Sequence, residues 1–216
     1  MIRIVIADDH TILREGLKQL LASAEGIEVV GEAVDGHEVL HRVRNAEFDL
    51  LLLDLSMPGK TGMELIKQVK SERPRLRILV LSMHGEQQYA VRAIRAGASG
   101  YLTKESAATQ LVAAIRKVAA GGAFISPEVA EQLARGAMPQ SEGPPHAALS
   151  DREYEVFQLL VSGRTITEIA NQLNLSVKTV STHKARLLEK IGIANQTELV
   201  HYALKYRLID DPNAPA

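Results

Sequence analysis

The stretch of sequence that decides the fold is FDLLLLDLSMPG, residues 48–59. Its unbroken apolar run from Leu50 to Leu53 is typical of a strand that is buried on both faces, as in a parallel α/β sheet. The run ends on Asp54, and a turn-forming segment, residues 56–59, follows. Because a buried carboxylate is costly unless it is solvated, paired or functional, Asp54 is the first candidate for a functional residue.

Other apolar runs in the first half of the chain also end on polar residues. These residues are Asp8 and Asp9 after Ile2–Ala7, Ser82 after Ile78–Leu81, and Lys104 after Tyr101–Thr103. The carboxyl ends of parallel strands converge on one crevice, so we expect three carboxylates, a hydroxyl and an ammonium group to meet there. This set suits a divalent cation together with a phosphoryl group. The sequence therefore indicates signalling by phosphorylation.

The first part of the chain alternates strand and helix patterns. Five strands are predicted, at Ile2–Ala7, Glu28–Val34, Asp49–Leu53, Arg77–Leu81 and Gly100–Thr103. The segments between them carry apolar residues at helical spacing. Five such βα units predict a doubly wound, open parallel sheet of the α/β class.

A linker and a helical domain are predicted after this sheet. Residues 122–148 are rich in glycine and proline and contain a short helix from Ser126-Pro127 through Leu133. Residues 149–209 predict four short helices, with capping-box patterns at Ser150/Glu153, Thr165/Glu168 and Asn195/Glu198. Because only Asn174-Leu175 separates the second of these helices from the third, we expect a helix-turn-helix. The tail, residues 210–216, is expected to be disordered.

Composition narrows the class of protein. The 216 residues include no cysteine, which excludes disulfides and cysteine zinc sites, and no apolar stretch approaches the ~20 residues of a membrane span. We therefore expect a soluble, cytoplasmic protein with no membrane partner. The net charge of −1 does not exclude nucleic acid, because one predicted helix concentrates basic residues and contains Glu189 as its sole acid. The basic residues are Lys178, Lys184, Arg186 and Lys190.

Residues 1–121 resemble the receiver domain of bacterial two-component response regulators. The resemblance lies in IVIADDH (residues 4–10), LDLSMPG (53–59) and AGASGYLTK (96–104). Residues 149–209 resemble the LuxR-type helix-turn-helix, mainly through SVKTVSTH, residues 176–183. The order of the two resembles the NarL/FixJ family. It implies a receiver with strand order 2-1-3-4-5, followed by a small all-α DNA-binding domain.

The resemblance implies a role for each candidate in the first domain. Asp54 would accept a phosphoryl group from a histidine kinase. Mg²⁺ would be bound by Asp9 and Asp54 directly, by Asp8 through water, and by the backbone carbonyl of Ser56. Lys104 would pair with the phosphoryl oxygens, and Ser82 and Tyr101 would form the switch. Beyond accepting the group and hydrolysing it again, such a protein is not expected to be an enzyme.

For the second domain, the resemblance implies a recognition helix and a set of partners. The helix would run from about Val177 to Lys190. Ser181, Thr182 and Ala185 would face base edges. Residues near phosphates or groove edges would be Lys178, Thr179, Lys184 and Arg186. The implied partners are double-stranded DNA with two-fold half-sites, RNA polymerase and a second copy of the chain. The apolar residues of the last helix could serve either the dimer or the core.

Two alternatives remain open at this point. Residues 37–41, HEVLH, match the H-E-x-x-H pattern of zinc proteases, although Val39 and Leu40 are expected to face the sheet and leave both histidines in solvent. The C-terminal helices also resemble region 4 of sigma factors and could bind a protein instead of DNA.

Overall fold

The computed structural model describes residues 1–57, 62–82, 87–135, 144–206 and 208–209. Its contacts divide the chain into two compact units, Met1–Ala137 and Met138–Ala216. The predicted tail 210–216, residues 136–143 of the predicted linker, and residues 58 and 59 of the turn after Asp54 lie outside the described residues. Within the described part of the chain, no helix is long and apolar enough to cross a membrane.

The first unit is built on a sheet of five parallel strands in the order β2-β1-β3-β4-β5. Its elements are β1 Ile2–Ala7, α1 Thr11–Ala22, β2 Ile27–Ala33, α2 Gly36–Asn45, β3 Leu50–Asp54, α3 Gly62–Glu72, β4 Arg77–Ser82, α4 Gln87–Ala96, β5 Gly100–Thr103, α5 Lys104–Ala119 and α6 Pro127–Arg135. The predicted fold class and strand order are confirmed. The strand bounds differ from the prediction by at most one residue at each end, and β3 includes Asp54 itself.

Strand register brings the polar strand ends together. The central strand β3 is fully buried, as its apolar run predicts, and pairs with β1 on one side and β4 on the other. Ala7 lies opposite Leu53, so Asp8 and Asp54 leave the sheet side by side. On the other side Asp54 lies opposite Leu81, one residue before Ser82. The topology thus gathers the candidates at one edge of the sheet.

The edge strand β5 is covered by the chain that follows α5. Phe124 forms a parallel bridge to Gly100, its carbonyl accepts from the Tyr101 N–H at 2.8 Å, and its own N–H donates to the Ser99 carbonyl at 3.2 Å. Gly100 permits this close approach, because a Cβ there would lie 3.0 Å from the Phe124 carbonyl oxygen. Helix α6 then packs against α4, with Val129 buried.

The second unit is helical. A 3₁₀ turn at Pro145–Ala148 precedes α7 Asp151–Val161, α8 Ile166–Leu173, α9 Val177–Ile191 and α10 Gln196–Lys205. Asn174 caps the C-terminus of α8 and Gly192 caps that of α9, both in the left-handed region with φ of 54° and 77°. These two residue types tolerate that conformation best, and they provide the tight turns on either side of α9. The core of the second unit is formed chiefly by Tyr154, Val156, Phe157, Leu160, Ile169, Val180, Leu187 and Leu199.

The helix starts follow the predicted caps in two cases and depart from them in a third. Ser150 with Glu153 and Thr165 with Glu168 form complete capping boxes. Asn195 accepts from the Glu198 N–H at 3.0 Å, but the Glu198 carboxylate accepts from the N–H of Ala194 rather than closing the box. The start of α10 is nevertheless capped by a side chain.

Candidate functional site

Lys104 joins two buried carboxylates at the carboxyl edge of the sheet. Its Nζ lies 2.7 Å from Asp54 Oδ2 and 2.8 Å from Asp8 Oδ2. The side chains of Asp8 and Asp54 are at most 1% exposed, and that of Lys104 is 6% exposed. Because each residue comes from a different strand end or helix start, the arrangement depends on the whole parallel topology.

Local hydrogen bonds fix the two ends of this bridge. Asp54 Oδ1 accepts from the backbone N–H of Ser56 at 3.0 Å, which holds the carboxylate across the turn after β3. Thr103 caps α5 by accepting from the N–H of Ser106, so Lys104 occupies the first position of that helix. Lys104 is therefore positioned both by strand β5 and by the start of α5.

Charge and burial set the acidity of the pair. Burial raises the pKa of the Asp54 carboxyl, and the hydrogen bond from Lys104 only partly opposes this shift. Burial lowers the pKa of Lys104, but the hydrogen bond to Asp54 and the ion pair with Asp8 outweigh burial and leave that pKa raised. The lysine is thus held in its cationic form next to a carboxylate that is costly to keep ionised.

Asp9 and His10 complete an acidic pocket. Their ligand atoms and those of Asp8 and Asp54 lie within 4.8 Å of one another. The His10 ring Nδ1 is 3.0 Å from Asp9 Oδ1 and 3.1 Å from Asp8 Oδ1. Within the described part of the chain, the buried Asp8 Oδ2 accepts no well-aligned hydrogen bond, although Lys104 lies beside it. A pocket dominated by carboxylate oxygens, one of them incompletely satisfied, fits a hard divalent cation.

The remaining candidates of the first unit lie around this pocket. Ser82 ends β4 and is fully buried, and it pairs in register with Thr103. Tyr101 is buried in β5, and Ser56 is half-buried two residues after Asp54. Asp8, Asp9, Asp54, Ser82 and Lys104 thus lie at strand ends on one edge of the sheet, whereas Tyr101 lies within β5, opposite Val80.

Two contributors to the site were missed by sequence reasoning. His10 follows the two acids directly, and only its position in the sequence could have drawn attention to it. Arg14 is 8% exposed; its Nη1 donates to the Asp8 carbonyl at 2.7 Å and its Nε to Glu32 at 3.0 Å. Arg14 therefore ties the turn after β1 to β2. This contact could not be predicted from the sequence, because an arginine in an amphipathic helix is usually expected to be exposed to solvent.

Helix α9 presents most of the predicted DNA-contacting residues on an exposed face. Lys178, Ser181, Thr182, Ala185 and Arg186 are exposed. The opposite face is buried against the unit through Val180, Leu187 and Ile191. This amphipathic division leaves a continuous polar and basic surface on the helix.

Two of the predicted contacts are engaged within the unit. The Nζ of Lys184 donates to Gln196 Oε1 of α10 at 3.0 Å, and Gln196 in turn donates to the Leu160 carbonyl at 3.3 Å. Thr179 belongs to the helix cap, since its N–H donates to Ser176 Oγ at 3.0 Å and the two hydroxyls are 2.8 Å apart. Both side chains are half-buried.

Comparison with known proteins identifies the family to which both units belong. The model of the response regulator receiver domain matches residues 4–116, and that of the bacterial regulatory proteins of the luxR family matches residues 147–203. The chain belongs to the response regulators with a LuxR-type helix-turn-helix. This response regulator is 36% identical to response regulator GacA of Pseudomonas viridiflava over 211 residues, which cover 97% of this chain and 99% of the relative. It is 35% identical to response regulator UvrY of Escherichia coli K12, with 96% of each chain covered.

Solved structures of the RcsB response regulator of Salmonella typhimurium are also similar to this response regulator. One covers 94% of this chain and 97% of its own, with 31% identity and a TM-score of 0.74. Another, of RcsB bound to the promoter rprA with the phosphomimetic BeF₃⁻, covers 94% and 98%, with 32% identity and a TM-score of 0.69. Receiver, helix-turn-helix and their order are thus shared along nearly the whole length.

The H-E-x-x-H pattern has a structural explanation in this response regulator. Glu38 Oε2 accepts from the Val34 N–H at 3.0 Å at the start of α2, and His37 and His41 are exposed. Across the described ranges, the only cluster of potential metal ligands is the one around Asp54. Glu38 acts as a helix-capping residue, and the zinc-protease interpretation is not supported.

The last helix contributes partly to the core. Leu199 and Ala203 are fully buried, whereas Val200 and Leu204 are half-buried. Two of the four apolar residues of α10 therefore belong to the core of the second unit.

Proposed function

We propose that Asp54 accepts a phosphoryl group from a histidine kinase and that this event controls DNA binding by the second domain. The observation that carries the proposal is the bridge from Lys104 to Asp54 and Asp8. One buried ammonium group neutralises two carboxylates there, at the only described cluster of metal ligands. A permanent cation beside a carboxylate suits a reaction in which negative charge accumulates.

The proposed transfer is an in-line displacement. A carboxylate oxygen of Asp54 attacks the phosphorus of a phosphohistidine, the new P–O bond forms as the P–N bond breaks, and the imidazole nitrogen takes the electron pair. The ammonium group of Lys104 would then exchange Asp54 Oδ2 for the phosphoryl oxygens within the same short reach. In the reverse sense, attack of water on phosphorus would release phosphate and restore Asp54.

The cation in this proposal is Mg²⁺. Asp9 and Asp54 would bind it directly, Asp8 would bind it through water, and the backbone carbonyl of Ser56 would be a further ligand. When bound, it would supply positive charge to the phosphoryl oxygens in the transition state. The fit rests on the oxygen donors of the pocket and on the incompletely satisfied Asp8 Oδ2.

The response to phosphorylation and the binding of DNA are the next parts of the proposal. A phosphoryl group brings about −1.5 to −2 charges, and Ser82 and Tyr101 are the buried groups that would respond to it. We assign residues 1–121 to the receiver, 122–148 to the linker, 149–209 to the DNA-binding domain and 210–216 to the tail. Structures of RcsB dimers bound to DNA support a homodimer that binds DNA. We further propose a two-fold binding site with α9 in the major groove, as in other helix-turn-helix dimers, and RNA polymerase as the downstream partner.

The test is phosphorylation of the full chain with acetyl phosphate or a histidine kinase in the presence of Mg²⁺. Wild type should gain one alkali-labile phosphoryl group, and Asp54→Asn should gain none. Asp49→Asn is the matched control, because Asp49 lies at the opposite end of β3 and pairs with Arg3. Undiminished labelling of Asp54→Asn would refute the assignment.

A further inference from the structure

The two hydroxyl groups in the second turn of α9 donate their protons to backbone carbonyls of the same helix. Ser181 Oγ donates to the Val177 carbonyl at 2.9 Å, and Thr182 Oγ1 donates to the Lys178 carbonyl at 2.9 Å. A hydroxyl has one proton and two acceptor positions. Toward a ligand, each side chain therefore presents lone pairs, and Thr182 adds a methyl group.

Over the first three turns of α9, the exposed face carries two adjacent stripes with a spacing of four residues; Glu189 and Lys190, also exposed, continue the two stripes toward the end of the helix. One stripe is Val177, Ser181 and Ala185, all of which are exposed. Val177 is 49% exposed, which makes it one of the few large apolar side chains left open to solvent among the described residues. The other stripe is Lys178, Thr182 and Arg186. The first stripe carries no charge and no free donor, whereas the second carries a cation at each end.

Base edges in the major groove differ in what they offer. Guanine presents two acceptors, adenine and cytosine each present an amino donor, and thymine presents a methyl group. Hydroxyl groups limited to accepting pair with the amino donors and not with the guanine acceptors. The apolar surface of Val177 and Ala185 pairs with a thymine methyl. Residues at the start of a recognition helix are the ones that reach base edges, which places Val177 in range.

We propose that this face of α9 recognises adenine or cytosine amino groups and thymine methyl groups, with Val177 as a specificity-determining residue and Ser181 and Thr182 as hydrogen-bond acceptors. The inference rests on the proposed DNA-binding function. It adds the chemical class of base edge that the helix selects. Lys178 and Arg186, on the neighbouring stripe, bind phosphates and contribute little to the choice of sequence.

Base analogues in the DNA test this proposal directly. A binding site is first selected from a random duplex pool with the full-length wild-type protein, treated with BeF₃⁻ and Mg²⁺. Single positions are then changed to uracil for thymine, purine for adenine, 2-pyrimidinone for cytosine, or 7-deazaguanine for guanine. We expect losses of about tenfold at one or more thymine, adenine or cytosine positions in each half-site, in line with 1–3 kcal/mol per base contact, and less than threefold at every 7-deazaguanine.

Protein variants assign each loss to a side chain. Val177→Ala should bind wild-type DNA more weakly and should lose the discrimination of thymine from uracil at one thymine position of each half-site, the position that Val177 contacts. Thr182→Val keeps the shape but removes the acceptor, and should abolish the penalty for losing one amino group. Arg186→Ala is the control, and should weaken binding to every duplex by the same factor.

The failures of the two proposals can be told apart. If no sequence is enriched from the pool, the DNA-binding function itself fails. If a sequence is enriched but the largest loss comes from 7-deazaguanine, or if Val177→Ala discriminates thymine from uracil as strongly as wild type at every position, the proposed base recognition is wrong.

Discussion

The pocket around Asp54 and the exposed face of α9 are built in opposite ways. In the pocket, Asp8, Asp54 and Lys104 are buried and come from three separate parts of the chain, and Lys104 Nζ lies within 2.8 Å of both carboxylates. On α9, the candidate side chains are exposed, and the hydroxyl groups of Ser181 and Thr182 donate hydrogen bonds only to carbonyls of their own helix. The first site is determined by the topology of the sheet, so a substitution there changes the stability of the fold. The second site is a pattern of surface side chains, so a substitution there mainly changes the affinity for a ligand.

Removing Lys104 should have the largest effect on stability. In Lys104→Ala, Asp8 and Asp54 are left as two buried carboxylates with no ammonium group between them, and breaking such a pair costs about 3–5 kcal/mol. Chemical denaturation at neutral pH measures this loss, and added Mg²⁺ should recover part of it. Lys18→Ala is the control, because Lys18 forms its ion pairs with Glu15 and Glu32 at the surface. If both variants lose the same small amount, the three pocket residues are not energetically coupled.

Asp9 should separate metal binding from folding. Its side chain is 35% exposed and is not joined to Lys104, so Asp9→Asn should fold with nearly the stability of wild type. Loss of one oxygen ligand should weaken Mg²⁺ binding by about tenfold or more, by analogy with the cost of altering metal-site partners. Titration calorimetry of the two proteins gives the ratio. An apo variant that is strongly destabilised would show instead that Asp9 is a structural residue.

The raised pKa of Asp54 predicts the sign of a pH effect on stability. A carboxyl group with a higher pKa in the folded state binds its proton more tightly there, so its ionisation destabilises the fold as the pH rises above the ordinary value of 3.8. Asp54→Asn should therefore be more stable than wild type at pH 7 without Mg²⁺, and this advantage should disappear below pH 3.8.

Glu32 is a carboxyl group whose pKa is shifted in the opposite direction from that of Asp54. Hydrogen bonds from Lys18 and Arg14 lower its pKa below 4.5, so its contribution is present above that pH and is lost as the pH falls through the folded value. Glu32→Gln should be less stable than wild type at pH 7. Thermal unfolding of both variants between pH 3 and pH 7 tests the contrast. If the stabilities of the two variants relative to wild type change with pH in the same way, the predicted contrast is wrong.

The smallest predicted effects lie on α9. Removing one phosphate-binding side chain should flatten the dependence of log affinity on log salt by about 0.9. Arg186→Ala should show this change, because Arg186 is exposed. Lys184→Ala should show a smaller one, because Lys184 is already bound to Gln196. Binding of both variants to random duplex DNA at several salt concentrations decides between them. Equal slopes would mean that the hydrogen bond to Gln196 breaks on binding.

The same contrast explains what could be predicted from the sequence. Strand ends and the convergence of Asp8, Asp54, Ser82 and Lys104 follow from one apolar run and its parallel neighbours, because topology leaves few alternatives. The contacts of Arg14, His10 and Lys184 do not follow, since each depends on the rotamer of a side chain with several possible partners. The bridge of Phe124 to β5 was also missed, because one short pairing leaves no periodic pattern.

The buried carboxylate of Asp54 is the group that we expect to carry the phosphoryl group, and chemical trapping tests this most directly. Borohydride reduces an aspartyl phosphate to homoserine, so phosphorylation followed by reduction and peptide mass mapping locates the modified residue. We predict homoserine at position 54, dependent on Mg²⁺ and absent without phosphodonor. Homoserine at position 8 or 9 with Asp54 unmodified would contradict the assignment.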